Sequence, residues 1–237
     1  MTRTAGRWQP APERVTLDGD GVHVWLVRLD APPGPGYRPA QLLSPEETAR
    51  ADRCVLPLER ARFTAARAAV REVLSRYTGT PPRRLAFGSS ERGRPQLVGP
   101  AGLDFNLSHS GGTALIAVAR GSRVGVDVEE IDPSVDHRAM ARRFLDPTEA
   151  ELIDAQPDAA GRRSFFTGWT RREAYAKALD CAIPRRLEVS DPLVLWDLPS
   201  RPEVCATLVT ARPVGAPRCW IWDRQAGRTE QATDSRK

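Results

Sequence analysis

The chain has 237 residues and a mass of 26.1 kDa, enough for one large or two small hydrophobic cores and too much for a disulfide-stapled mini-protein. Hydrophobic residues at 41% and charged residues at 27% exclude a disordered or fibrous chain. Lys plus Arg number 35 against 30 Asp plus Glu; the net charge of +5 suits phosphates or an acidic partner but is small for a dedicated nucleic-acid binder. The four cysteines (Cys54, Cys181, Cys205, Cys219) form no CxxC pair, and with His23, His109 and His137 they give no zinc-finger spacing. The start MTRTAGRWQP has no continuous apolar core, and no stretch approaches the roughly 20 apolar residues of a membrane span. A cytoplasmic location without membrane contact is expected.

Residues 1–20 and 224–237 are polar, lack an apolar period and read as flexible ends. Residues 22–29 (VHVWLVRL) alternate as a strand does, and the proline-rich 31–39 cannot continue it for want of amide donors. Ser44-Pro45-Glu46-Glu47 combines an N-cap, a proline at the first helical position and acids in the first turn, so a helix starts there and runs toward Cys54. Residues 58–77 place Phe63, Ala66, Val70, Leu74 and Tyr77 at helical spacing and stop at Gly79 and two prolines. Short strands are expected at 85–87 and 96–98 around Gly93-Arg94-Pro95. Strands at 114–119 and 124–129, joined through Arg120-Gly121-Ser122, read as a hairpin. Helices follow at 139–144, after Asp146-Pro147, and over 165–179, then strands at 193–196, 206–209 and 219–222. The expected class is α+β, with two comparable α/β halves at 21–120 and 121–223.

Chemistry concentrates in three places. In VGVDVE (124–129) alternation puts the valines on one face and Gly125, Asp127 and Glu129 on the other. Two carboxylates beside a glycine that clears room for a ligand suit a hard cation such as Mg²⁺, and a solvated acidic edge strand is the alternative. In the helix over 165–179, Glu173 falls inside the apolar arc of Phe165, Phe166, Trp169, Ala176 and Leu179, with Lys177 one turn on. An ordinary i,i+4 pair explains that spacing but not a carboxylate directed at the core, which calls for a metal or a cation. Lys177 and Lys237 are the chain's only lysines, and a compact point charge suits a phosphate. FNLSHSGG (105–112) gathers hydroxyls, an imidazole and glycines where a strand meets a loop, as a phosphate cradle does. A Ser/His hydrolase is disfavoured, because adjacent Ser108 and His109 diverge on an extended chain and no GxSxG elbow exists. Arg50, Arg53 and Arg62 taken alone read as a solvated basic helix surface.

In this order FNLSHSGG (105–112), VGVDVEEID (124–132), RRFLDPTEAELI (142–153) and FFTGWTRREAYAKALD (165–180) resemble the Sfp-type 4′-phosphopantetheinyl transferase superfamily. The upstream SPEE, ERARFTAARAAVREVL and RGRPQL extend the likeness over about residues 44–190. The resemblance implies that the two α/β halves form a pseudo-dimer with a metal site at their interface, with Asp127, Glu129 and Glu173 as magnesium ligands and Lys177 on the pyrophosphate of coenzyme A. It also implies Ser108 and His109 on the coenzyme A phosphates, Arg50 and Arg62 near its 3′-phosphate with Arg53 beside them, and the backbone of Gly93, Arg94 and Pro95 against adenine. Glu173, Glu149 or a metal-bound water would accept the proton of the incoming serine. The activity implied is Mg²⁺-dependent transfer of the phosphopantetheine arm of coenzyme A to a serine of an acyl or peptidyl carrier protein. The carrier would belong to a polyketide, nonribosomal peptide or fatty-acid system, often in secondary metabolism; adenosine 3′,5′-bisphosphate would leave, and the enzyme would work as a monomer. The competing readings are a basic nucleic-acid-binding module and a relative that binds coenzyme A or a carrier without transfer. Two departures stand out: Arg172 replaces the family's usual lysine, and Asp180-Cys181 replaces the glycine that often ends this helix, which puts the turn after it in question.

Overall fold

The computed structural model describes residues 2–17, 19, 21–99, 102–190 and 192–222. The tail expected to be flexible at 224–237 lies outside them. Along the chain run β1 (Thr2–Thr4), β2 (Gln9–Pro10), β3 (Val22–Arg28), α1 (Pro45–Asp52), α2 (Pro57–Thr78), β4 (Phe87–Ser89) and β5 (Pro95–Leu97). There follow β6 (Leu103–Ser110), β7 (Thr113–Arg120), β8 (Val124–Glu130), α3 (His137–Phe144), α4 (Pro147–Asp154), α5 (Asp158–Leu179), β9 (Val194–Asp197), β10 (Val204–Thr210) and β11 (Arg218–Trp222). The class is mixed α+β.

The local signals act as their chemistry requires. Ser44 and Glu47 close a capping box at α1: the Glu47 amide donates to Ser44 Oγ (3.3 Å) and the Ser44 amide to Glu47 Oε2 (2.9 Å). Gly79 ends α2 in the left-handed region at φ 68°. At the end of α5 the same conformation is taken by Asp180 (φ 54°), the one non-glycine residue at positive φ among the described residues. The turn survives the missing glycine, with the Cys181 amide donating to the Ala176 carbonyl at 3.0 Å. Helix α5 starts seven positions before the expected residue 165, because its first turns pack on α3 and α4.

Two sheets organise the fold. One has the order β2-β11-β3-β7-β6 and the other β1-β9-β10-β8. Val22, Val24, Leu115 and Ala117 of the first meet Val124, Val126, Val128 and Leu208 of the second in a core between the sheets. Helix α2 covers the outer face of the first sheet through Val70, Val73 and Leu74 against Trp25 and Ile116. Helix α5 covers the outer face of the second through Ala174 and Ala178 against Leu195 and Val209. The layers are therefore helix, sheet, sheet, helix.

The hairpin expected between 114–119 and 124–129 is not formed. Both edges of β7 are taken by β3 and β6, so after Gly121 the chain crosses to the other sheet, where β8 pairs antiparallel with β10. The tight hairpin is instead β6 to β7 through Gly111-Gly112. The N-terminal segment expected to be loose carries β1, parallel to β9 in one sheet, and β2, parallel to β11 in the other. Strand β11 returns to the sheet built from the first half of the chain.

Strands β6 and β8 meet where the sheets join, and side chains of β6 replace a backbone ladder. The amides of Val124, Val126 and Glu130 donate to Asp104 Oδ2 (2.8 Å), Asn106 Oδ1 (2.9 Å) and Ser110 Oγ (3.1 Å). With Ser108 these side chains stand at every second position of β6, on one face, and they fix the register of β8 against it.

Gly125 brings α5 onto β8. A Cβ there would collide with the Ala174 carbonyl oxygen and the Ala178 amide nitrogen, so the glycine makes room for helix backbone and not, as expected, for a ligand. Gly125→Ala is expected to cost about 1–3 kcal/mol by overpacking and to push Glu173 and Lys177 away from β8. Urea denaturation measures the first effect and the loss of transferase activity the second.

Candidate active site

Asp127 is the centre of the site. It faces α5 from the middle of β8 and is 1% exposed. Ser108 Oγ donates to its Oδ1 at 2.7 Å, Lys177 Nζ donates to the same oxygen at 2.6 Å, and Lys177 reaches Ser108 Oγ at 3.1 Å. Its Oδ2 is buried without a hydrogen-bond partner among the described residues. Glu173 lies one turn back on α5, 3.6 Å from Lys177 Nζ. Glu129 is half-buried and takes a hydrogen bond from Ser110.

The electrostatics are those of acids gathered in a dry place. Burial raises the Asp127 carboxyl to about 6 against the pull of Lys177 and Ser108. Burial, then the charge of Asp127, raises Glu129 to about 7, with Glu173 adding to the repulsion. Among the described residues no three His, Cys, Asp or Glu side chains form a group that could hold a metal ion by themselves; the ammonium of Lys177 stands between Asp127 and Glu173. An orphaned buried carboxylate oxygen with two further acids in its field nevertheless fits Mg²⁺, which is bound through one or two carboxylates and keeps waters and substrate phosphates for its other positions.

On the other side of His109 lies a basic region. Desolvation, then the positive charges of Lys177, Arg50 and Arg62, lowers the His109 pKa against the opposing pull of Glu59, which favours the neutral ring. Arg62 holds Asp30 through both guanidinium edges, at 2.9 and 2.7 Å. The Asp30 carboxylate in turn sits where any Cβ on Gly112 would fall. A cavity of about 650 Å³ beside α1 and α2 is lined by Arg50, Phe63, Arg83, Arg84, Gly93 and Pro95. Its wall is braced by Glu47, which accepts from Arg67 (2.8 Å) and Arg71 (2.6 Å).

Of the residues singled out in the sequence, Ser108, Asp127, Glu173 and Lys177 form one contact network, with Glu129 and His109 in its electrostatic field. Arg50, Gly93 and Pro95 share the basic cavity. Arg94 does not line that cavity, and its buried guanidinium binds Asp104 and the carbonyls of Phe105 and Val124. Arg53 is exposed at the end of α1. Glu149 packs against Gly168, with both carboxylate oxygens held by Arg172; Arg172 is 2% exposed and also donates to the carbonyls of Gly168 (2.9 Å) and Arg185 (3.1 Å). The Arg172 substitution thus supplies a planar fork that a lysine cannot. Sequence reading missed Asp30 and Glu130, whose Oε1 accepts the Gly112 amide at 3.0 Å, and placed Asn106 and Ser110 in a phosphate cradle without their bonds to β8 amides. Polar residues at every second position from 104 to 110 were the available signal for those bonds.

Residues 123–226 match the family model described as the 4′-phosphopantetheinyl transferase superfamily. The chain is 40% identical over 185 residues to the 4′-phosphopantetheinyl transferase HetI of Nostoc sp., covering 77% of this chain and 78% of that one. It is 32% identical over 130 residues to the transferase AcpT of Salmonella typhimurium (51% and 66% covered) and 29% identical over 109 residues to a 4′-phosphopantetheinyl transferase of Bacillus subtilis (46% and 47% covered). The chain belongs to the 4′-phosphopantetheinyl transferase superfamily, and is an enzyme that transfers the phosphopantetheine arm to carrier proteins. No helix among the described residues is long and apolar enough to cross a membrane.

Because the folded carboxyls of Asp127 and Glu129 sit above their unfolded values, the metal-free fold binds these protons more tightly than the unfolded chain does. Their contribution to stability is complete at acid pH and is lost as pH rises through about 6 and about 7. Glu129→Gln is expected to melt above the wild type at pH 8, with the gap closing toward pH 5; thermal denaturation in the presence of chelator measures it.

Proposed function

We propose that Asp127, Glu129 and Glu173 hold Mg²⁺ against the pyrophosphate of coenzyme A, and that the two layers of helix on sheet form a pseudo-dimer, with halves at 21–120 and 121–223, around that site. The observation that carries this reading is the buried Asp127 with one oxygen fixed by Ser108 and Lys177 and the other unpaired among the described residues. Helices α2 and α5, each of 22 residues on the outer face of its own sheet, support the pseudo-dimer. When bound, the metal supplies positive charge against the phosphates and the leaving group.

The chain's own residues do the rest. Lys177 directs a second positive charge to the same side, so the leaving adenosine 3′,5′-bisphosphate departs into a field already arranged for it. Ser108 orients both Asp127 and Lys177. Neutral His109 donates to a phosphate oxygen, and Arg62, drawn off Asp30, together with Arg50 takes the 3′-phosphate. The basic cavity receives adenine against the backbone of Gly93 to Pro95. Glu173 accepts the proton of the carrier serine, since the oxygens of Glu149 are engaged by Arg172. The carrier presents an acidic surface to this basic protein, which works as a monomer in the cytoplasm. Departure of the bisphosphate without a covalent enzyme intermediate makes the reaction a single displacement.

Incubation with coenzyme A, Mg²⁺ and apo carriers from polyketide, nonribosomal peptide and fatty-acid systems is expected to add the mass of one phosphopantetheine arm to at least one of them. Asp127→Ala and Glu173→Ala are expected to lower kcat by about a hundredfold or more with the fold intact by circular dichroism, whereas Arg62→Ala raises KM for coenzyme A more than it lowers kcat. Wild-type turnover in Asp127→Ala would refute the assigned site.

A further inference from the structure

A second cavity, of about 340 Å³, opens between the two sheets. Its walls are apolar: Leu26 and Leu115 come from the five-stranded sheet, Val128 and Ala206 from the four-stranded one. Val128 points into this space while its neighbours Asp127 and Glu129 point to the opposite face of β8, so the cavity is separate from the acidic site. The N-terminal segment straps it. β1 is anchored on one sheet and β2 on the other, and between them Trp8 lines the cavity and donates its indole N–H to the Pro199 carbonyl at 2.6 Å.

At the rim stand Arg28 and Arg201, both exposed and both without a side-chain hydrogen bond or ion pair among the described residues. Most arginines around the site are otherwise engaged, as Arg62, Arg94 and Arg172 show. Of the acids on adjoining strands and turns, Asp30 pairs with Arg62 and Glu130 accepts the Gly112 amide, while Glu203 forms no ion pair with Arg28 or Arg201. Ile221 also lines the cavity, near the point where β11 ends, but residues 223–237 carry no apolar side chain larger than alanine and do not suit it.

We propose that this cavity is a binding site for an alkyl carboxylate, with the chain between the sheets behind Trp8 and the carboxylate on Arg28 and Arg201. The volume falls in the roughly 300–1,000 Å³ range of small-molecule sites. Apolar walls with two exposed arginines, unpaired among the described residues, in the lining match a ligand that is apolar along its length and anionic at one end.

Isothermal titration of the full chain with hexanoate, octanoate and decanoate, without coenzyme A or metal, tests the site independently of the transfer reaction. Saturable one-to-one binding is expected, tightening about fourfold per added methylene until the cavity is full, as about 0.8 kcal/mol per buried methylene requires. The double variant Arg28→Ala/Arg201→Ala, altered only at exposed positions, should bind decanoate weaker by about tenfold or more, and decanol should bind wild type as weakly as decanoate binds that variant. Ala206→Phe should abolish binding by filling the space. No saturable binding, an unchanged Kd in the arginine double variant, or equal affinity for decanol and decanoate would each overturn the proposal.

Discussion

The arrangement rests on a carboxylate taken out of water. Asp127 is buried where two sheets and a helix meet, and a bare charge in that place is costly unless partners are brought to it. Ser108 from β6 and Lys177 from α5 supply them on one oxygen. Each of the three elements must therefore be held to within hydrogen-bonding distance of the others. The side-chain ladder from β6 sets the height of β8, and the missing side chain at Gly125 lets α5 approach close enough for Lys177 to arrive. The second oxygen is left over, and a buried acceptor without a donor is an opening for a cation.

The same junction divides labour between opposite charges. On one side, burial and neighbouring negative charge raise the proton affinity of Asp127 and Glu129; on the other, arginines of α1 and α2 line a polar cavity. His109 senses both, being desolvated and placed in the field of Lys177, Arg50 and Arg62. Arg62 is charge-balanced by Asp30.

Much of this was legible in the residue order. Cap chemistry at Ser44 and Asp146, glycine at 79, and apolar spacing in the two long helices placed α1, α2, α4 and most of α5, because these signals act within a few residues of chain. The hairpin reading of 114–129 went wrong because a tight turn with strands on both sides says nothing of whether the first strand's edges are already occupied by β3 and β6. The N-terminal strands escaped notice because two or three residues carry no period, and their pairing depends on edges built from distant chain.

The sequence alone determined which face of β8 carries Asp127 and Glu129 and that Glu173 and Lys177 share a helix surface, since alternation and helical pitch are properties of the local backbone. Only the tertiary structure decided that Gly125 admits helix backbone, that Glu149 is tied to Arg172, and that Lys177 lands on Asp127 fifty positions away in the chain. Those outcomes follow from which surfaces bury together and how closely, and no spacing within a single element encodes them.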